Sequence, residues 1–127
     1  MKKELMLIGN KYKLGVLIMF GSNVNGKLHK DSDLDIGFLA FKKVDEDKLF
    51  IDLMNVFKRT DIDLVNLSRN HSPVLRFNIL HNGKALFEAK KGLKSKFEWE
   101  SYIDYVDFKK YYDLRSEQLD RKIRSFS

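Results

Sequence analysis

The sequence contains no cysteine and a single proline among its 127 residues. The absence of cysteine excludes disulfides and thiolate metal sites, and it makes the cytoplasm the simplest location to expect. The longest stretch without charge, residues 14–26, contains glycine and asparagine and falls short of the roughly 20 apolar residues that cross a bilayer. Charged residues also interrupt the first 13 positions, where a signal peptide would need an apolar segment. We therefore expect neither a membrane span nor export.

What the sequence does contain suits one hydrophobic core. Hydrophobic residues make up 43% and charged residues 33% of the chain. A chain of this length can bury one core and is too short for two ordinary domains, so we predict a single domain over residues 1–127. The formal net charge is +6, but the basic residues are scattered and a group of aspartates lies among them. This pattern is typical of a solvated surface and disfavours direct binding of nucleic acid.

The order of apolar and polar residues predicts strands alternating with helices. Short apolar or alternating segments indicate strands at residues 15–20, 33–41, 61–67 and 84–89, the last of them a small edge strand. Helical spacing and capping residues indicate helices at residues 3–13, 44–58 and 72–83. From about residue 96 to 124 no glycine or proline occurs, which predicts one long helix, or two in series, packed back onto the sheet with its aromatic residues in the core. This alternation is typical of an α/β fold.

One stretch, FGSNVNGKLHKDSDLDIGF at residues 20–38, can be interpreted as three different ligand-binding loops. Residues 21–27 fit the glycine loop of ATPases, but Leu28 stands where that loop needs the Ser or Thr that binds magnesium. The aspartates at alternate positions from Asp31 resemble a calcium loop, which would need glycine where this chain has Ile36. Both of these interpretations fail.

The third interpretation is a nucleotide and metal site built from a Gly-Ser turn and two aspartates. Gly21 leaves the backbone bare so that a triphosphate can approach, and Ser22 offers a hydroxyl and backbone amides to an anion. Asp33 and Asp35 lie two residues apart on a predicted strand, so both carboxylates project from the same face. Two magnesium ions about 3.5–4 Å apart need such closely spaced oxygen ligands.

A further carboxylate on a neighbouring strand would complete this site. The alternating segment DIDLVNL places Asp61 and Asp63 on one face of a strand, so either could be that carboxylate. We prefer Asp63, because it lies further into the strand.

The Gly21-Ser22 pair, followed after ten residues by Asp33-Leu34-Asp35, resembles the signature of the polymerase-β-like nucleotidyltransferase superfamily. The whole chain is similar to the minimal nucleotidyltransferase (MNT) branch, in particular to the MntA-type antitoxins that accompany HEPN-domain toxins. DIDLVNL resembles the strand with the third carboxylate, SPVLRFNILHNGKALFE the helix and glycine turn after it, and YVDFKKYYDLRSEQL the C-terminal helix. The signature is specific to the superfamily, whereas the branch depends on these less specific matches.

This resemblance implies a mixed sheet with flanking helices that binds ATP and two Mg²⁺ ions. It also implies an antitoxin that transfers AMP to a tyrosine of the HEPN ribonuclease toxin and releases pyrophosphate. By the same resemblance, Gly21 and Ser22 hold the β- and γ-phosphates, and Asp33 and Asp35 ligate both metals. Asp63 then ligates one metal and helps to deprotonate the attacking hydroxyl.

Two alternatives stay open at this point. The same fold could neutralise the toxin by binding and masking it, with the aspartates kept only for structure. A transferase acting on a small molecule or RNA is disfavoured, because a chain of this size leaves little room for a second substrate domain.

Relatives often carry a basic residue where this chain has Asn25. Candidates to replace that triphosphate contact are Lys27, Lys30 and Arg76.

Overall fold

The computed structural model describes residues 1–21, 33–68 and 72–125. In these ranges the chain forms, in order, α1 (Lys2–Lys11), β1 (Leu14–Phe20), β2 (Leu34–Ala40), α2 (Glu46–Phe57), β3 (Ile62–Asn66), α3 (Pro73–Asn82), β4 (Lys84–Glu88) and α4 (Leu93–Ser125). Each of these elements was predicted from the sequence, with bounds that agree within three residues.

The four strands form one mixed sheet in the order β3-β2-β1-β4. β1 runs antiparallel to both β2 and β4, whereas β2 and β3 are parallel. The predicted fold, a small mixed sheet flanked by helices, is therefore confirmed, and β4 is an edge strand as expected. This topology brings the carboxyl end of β1 together with the amino ends of β2 and β3 at one end of the sheet.

Helices cover both faces of the sheet, which explains why the central strands are apolar almost without interruption. α1 and α2 pack on one face, over a core that includes Leu17, Ile36 and Leu49. α3 and the beginning of α4 pack on the other face, over a core that includes Ile18 and Leu80. Because side chains alternate along a strand, successive residues of β1 and β2 enter different cores.

Capping side chains begin α2 and α3 at defined residues. The Asp45 carboxylate accepts a hydrogen bond from the Lys48 backbone N–H at 3.2 Å. At α3 the predicted cap is confirmed, since the Ser72 hydroxyl accepts from the Leu75 N–H at 3.3 Å and Pro73 occupies the first turn. Each cap satisfies a backbone donor that the first turn leaves without a partner.

The C-terminal segment is one continuous helix, and it packs on the sheet only at its beginning. Phe97 contributes to the core and Ser101 is fully buried, but Trp99, Tyr111 and Tyr112 are each more than 60% exposed. The predicted packing of this helix onto the sheet is thus confirmed for its beginning, whereas the expectation that its aromatic residues lie in the core is wrong for most of them. The reason is length: 33 helical residues extend over roughly 50 Å, whereas the seven residues of β1 cover about 23 Å.

No helix in the described part of the chain is both long enough and apolar enough to span a membrane.

Ser101 offers a test of how α4 packs. Its side chain is fully buried, and its hydroxyl has no hydrogen-bond partner among the described residues. A buried hydroxyl without a partner destabilises the folded state, and alanine is the better helix former. We expect Ser101→Ala to raise the free energy of unfolding by about 1 kcal/mol in urea titrations. Ser95→Ala, on the exposed side of the same helix, should give only the smaller propensity gain of about 0.5 kcal/mol. A loss of stability in Ser101→Ala would mean that the hydroxyl is satisfied.

Candidate functional site

The predicted site residues lie at the end of the sheet where β1 finishes and β2 and β3 begin. Asp33 directly precedes β2, and Asp35 is its second residue. Alternation along β2 puts both of these aspartates on the same face as Leu39, which belongs to the core under α3 and α4. Asp63 shares this face, because Val65 and Leu67 follow it at alternate positions and pack in that same core. The three carboxylates therefore project from one face of the sheet.

Asp35 and Asp63 are direct neighbours across two parallel strands. The register of β2 and β3 pairs Asp35 with Asp63, and on its other side Asp35 lies opposite Phe20 of β1. Asp35 is half-buried, whereas Asp63 and Asp33 are exposed. One carboxylate is thus held inside the sheet and two lie at the surface around it.

Gly21, the residue that follows β1, closes over Asp35. Its φ of +79° lies in the left-handed region, which strongly favours glycine. A Cβ atom at this position would overlap the Asp35 carboxylate, with Oδ2 as the nearest atom. Glycine is therefore required here both by backbone conformation and by the close approach of Asp35.

The electrostatics of the site indicate three carboxylates that repel one another. The pKa of Asp35 is raised above its usual range, first by burial, then by the charge of Asp63 and then by that of Asp33. A bound cation would stabilise the ionised form of a carboxyl group whose neighbours are also negative, and carboxylate oxygens are suitable ligands for hard divalent ions. Within residues 1–21, 33–68 and 72–125, however, no group of three or more His, Asp or Glu side chains is placed so that it could hold a metal ion.

Asp61, the other candidate for the third carboxylate, forms an ion pair with Arg59. It precedes β3, and its carboxylate accepts two hydrogen bonds from one edge of the Arg59 guanidinium, at 2.8 Å from Nε to Oδ1 and 2.5 Å from Nη2 to Oδ2. This pairing lowers the pKa of Asp61. Its backbone carbonyl accepts from the Leu34 N–H at 2.9 Å, which ties the beginnings of β2 and β3 together. Asp61 therefore supports the site and leaves Asp63 as the carboxylate beside Asp35.

Arg59 is a residue near the site that the sequence analysis did not identify. Its side chain is 15% exposed, and its pKa is raised first by the hydrogen bonds to Asp61 and also by the charge of Asp33. The available signal was an arginine two residues before an aspartate, at the end of a predicted helix. That signal is weak, because the left-handed conformation of Lys58 that ends α2 and turns Arg59 toward the strand was not predictable.

Several residues of the sequence prediction lie outside the described residues, namely Ser22, Asn25, Lys27 and Lys30. Arg76, the remaining candidate for a triphosphate contact, is on α3, and its Nε is buried without a hydrogen-bond partner among the described residues. The charge of Arg76 is not among the causes that shift the pKa of Asp35. The structure therefore brings Gly21, Asp33, Asp35 and Asp63 together and does not join Arg76 to them.

Comparisons with solved structures find the same fold in toxin–antitoxin proteins. A chain from the crystal structure of a toxin-antitoxin with AMP-PNP has 24% sequence identity and a TM-score of 0.72, and the match covers 93% of this chain and 97% of that one. A chain from an MntA-HepT toxin-antitoxin crystal structure has 21% identity and a TM-score of 0.66, with 93% and 95% covered. A third is from the tri-AMPylated Shewanella oneidensis HEPN toxin in complex with MNT antitoxin, at 24% identity and a TM-score of 0.62, with 94% and 98% covered.

Of two comparisons based on sequence, one identifies the family of this chain. A search of curated proteins found no match. The family model described as polymerase beta, nucleotidyltransferase matches residues 3–92, a range that contains all four strands and every aspartate of the site. The chain therefore belongs to the polymerase beta nucleotidyltransferase family.

Proposed function

We propose that this chain is an antitoxin that transfers AMP from Mg-ATP to a tyrosine of a partner HEPN ribonuclease toxin. The observation that carries the proposal is the pair Asp35 and Asp63, in register on parallel strands. Asp33 is close enough for its charge to raise the pKa of Asp35. Two findings from the comparisons support it. The family is one of nucleotidyltransferases, and the similar structures include one with AMP-PNP and one with an AMPylated HEPN toxin.

The donor set fits magnesium, because it offers carboxylate oxygens whose mutual repulsion a divalent cation relieves. In this proposal Asp33 and Asp35 hold both of two Mg²⁺ ions, and Asp63 holds one of them. Bound ions would neutralise charge on the triphosphate and favour the deprotonated form of the attacking hydroxyl. Gly21 and Ser22 would hold the β- and γ-phosphates, with the bare Gly21 backbone allowing their close approach.

The attacking tyrosine needs a base, since a phenol has a pKa of about 10. Asp63 is exposed beside the half-buried Asp35, so a side chain of a partner protein can reach it. We assign Asp63 to accept the phenol proton. The phenol oxygen then bonds to the α-phosphorus, the bond from that phosphorus to the β-phosphate bridging oxygen breaks, and pyrophosphate leaves with the electron pair. Positioning and charge neutralisation supply most of the catalysis in such transfers.

The direct test first establishes whether the adjoining gene encodes a HEPN protein, and then combines that protein with this chain, ATP and Mg²⁺. We expect the HEPN protein to gain the mass of one AMP or a multiple of it, and its ribonuclease activity to fall in parallel. Omitting ATP or adding EDTA should prevent both changes. If the ribonuclease is inhibited while its mass stays constant, the chain acts by masking the toxin, and the transferase proposal fails.

Substituting the two neighbouring aspartates separately tests which of them takes part in the transfer. Asp63→Asn removes the carboxylate beside Asp35, and we expect the rate of AMP transfer to fall by at least about 100-fold, as is typical when a general base is lost. Asp61→Asn weakens the pair with Arg59, which is partly exposed, so the variant should lose little stability. Its transfer rate should stay within about threefold of the original. Equal losses of rate in both variants would contradict the assignment.

A further inference from the structure

The distal half of α4, residues 108–125, extends beyond the body of the fold. α4 makes its main contacts with α3, where the ring of Tyr105 stacks on Phe77 at 5.8 Å between centroids. After it, Phe108 and Tyr112 stack on each other at 6.3 Å. This half of the helix is therefore held mainly by its own backbone hydrogen bonds.

A continuous stripe of large apolar side chains follows the distal half. We call it the distal stripe, and it consists of Phe108, Tyr112, Leu119 and Ile123, which are 43%, 62%, 54% and 65% exposed. Steps of four, seven and four residues keep all of them on one side of a helix. The same spacing continues back to Tyr105 and the buried Ser101, so the stripe extends the face with which α4 packs on α3.

Leaving this stripe in water is unfavourable on two grounds. Four large apolar side chains in a row make a patch of the kind that marks interaction surfaces. In addition, most of the stability of a helix in a protein comes from the packing of an apolar face. The distal stripe is therefore suited to being covered by another surface.

The charges around the stripe indicate the chemistry of that surface. Arg115 and Lys122 line, together with Gln118 and Leu119, a small cavity of about 80 Å³ beside the stripe. By helical position, Arg115 and Lys122 flank one side of the stripe, whereas Lys109, Asp113 and Asp120 flank the other. A surface that matches the basic side would present carboxylates next to apolar residues.

We propose that the distal stripe is the docking surface for the HEPN toxin, and that it binds an apolar patch of the toxin flanked by carboxylates. The identity of this occupant rests on the proposed function, while the shape and charge of the surface do not. The fold likeness to chains from toxin complexes covers 93–94% of this chain, so it extends into the distal half. Docking on α4 would also leave the exposed side of the aspartate site open to a tyrosine of the bound toxin.

Two matched pairs of substitutions test the proposal, with the dissociation constant for the purified HEPN protein of the adjoining gene as the measurement. Leu119→Glu should weaken binding by at least about 30-fold, as expected of a central contact. Leu114→Glu makes the same change at a 60% exposed position about 140° around the helix, and it should weaken binding less than threefold. Arg115→Glu should weaken binding about tenfold at low salt, whereas Arg121→Glu, on the opposite side, should change it less than threefold.

Controls separate this proposal from the proposed function. Circular dichroism should give equal helicity for all four variants, and Ile123→Glu replaces Leu119→Glu if the latter does not fold. Asp35→Asn, which changes β2 and leaves the stripe on α4 intact, should bind the toxin as the original chain does even though transfer is lost. If binding persists but no chemistry is ever observed, docking stands and the transferase proposal fails.

Three results would overturn the docking proposal. The first is an unchanged dissociation constant in Leu119→Glu, and the second is equal weakening in both members of a pair. The third is self-association of the free chain that Leu119→Glu abolishes in sedimentation experiments, which would assign the stripe to a second copy.

Discussion

Replacing Asp35 by asparagine is expected to abolish AMP transfer while making the metal-free protein more stable. Asp35 is the most buried of the three aspartates and lies between Phe20 and Asp63. Metal ions supply several kcal/mol of charge stabilisation in such reactions, so loss of a ligand that the proposed function assigns to both metals should slow transfer by about 1,000-fold. Intact-mass measurement of the HEPN partner at fixed times gives the rate.

The gain in stability follows from the direction of the Asp35 pKa. Burial and the two neighbouring charges raise this pKa, so the folded state binds the proton more tightly than the unfolded state. The stability from this group is fully present below the unfolded pKa of about 3.9, and it is lost as pH rises through the folded pKa. At pH 7 the Asp35 carboxylate therefore destabilises the fold, and Asp35→Asn should raise Tm by a few degrees.

Magnesium provides the control for this prediction. Ligands that bind only the folded state stabilise it, so Mg²⁺ should raise the Tm of the original chain toward or above that of the variant. The same ion should leave the Tm of Asp35→Asn nearly unchanged. A variant that is less stable than the original chain without Mg²⁺ would mean that Asp35 makes a favourable contact which outweighs the repulsion.

Substituting Gly21 by alanine is expected to disable the same site from the backbone side. The new Cβ would overlap the Asp35 carboxylate, which would have to move, and the φ of +79° would be strained for any other residue than glycine. A displacement of about 1 Å in a catalytic group can cost about 100-fold in rate, and we expect a loss of that size in AMP transfer. The strain alone should cost about 1–2 kcal/mol of stability.

Gly92→Ala is the matched control, because it separates strain from contact. Gly92 also has a positive φ, +92°, but nothing lies within 4 Å of the position of its Cβ. The substitution should therefore give a similar loss of stability in urea titrations and leave the transfer rate within about twofold. If Gly92→Ala reduced transfer as strongly as Gly21→Ala, general destabilisation would explain both, and the contact with Asp35 would not matter.

The sequence alone was sufficient for the order of elements and for the group of aspartates. Alternation in DIDLVNL and the apolar block at residues 15–20 are local patterns, and they depend on burial that any sheet of this kind imposes. The spacing of Asp33 and Asp35 on one strand fixes a common face for the same reason. Caps such as Ser72 are equally local, which is why the predicted beginning of α3 was correct.

Only the tertiary structure shows how the surroundings of Asp61 differ from those of Asp63. Both share one face of the predicted strand, and the difference lies in the pairing of Asp61 with Arg59 and in the parallel register that puts Asp63 beside Asp35. The contact of Gly21 with Asp35 and the exposure of the distal half of α4 also became known only from the tertiary structure. A sequence records the periodicity of each segment, but register between strands and the length of one element relative to another are set by how the segments pack.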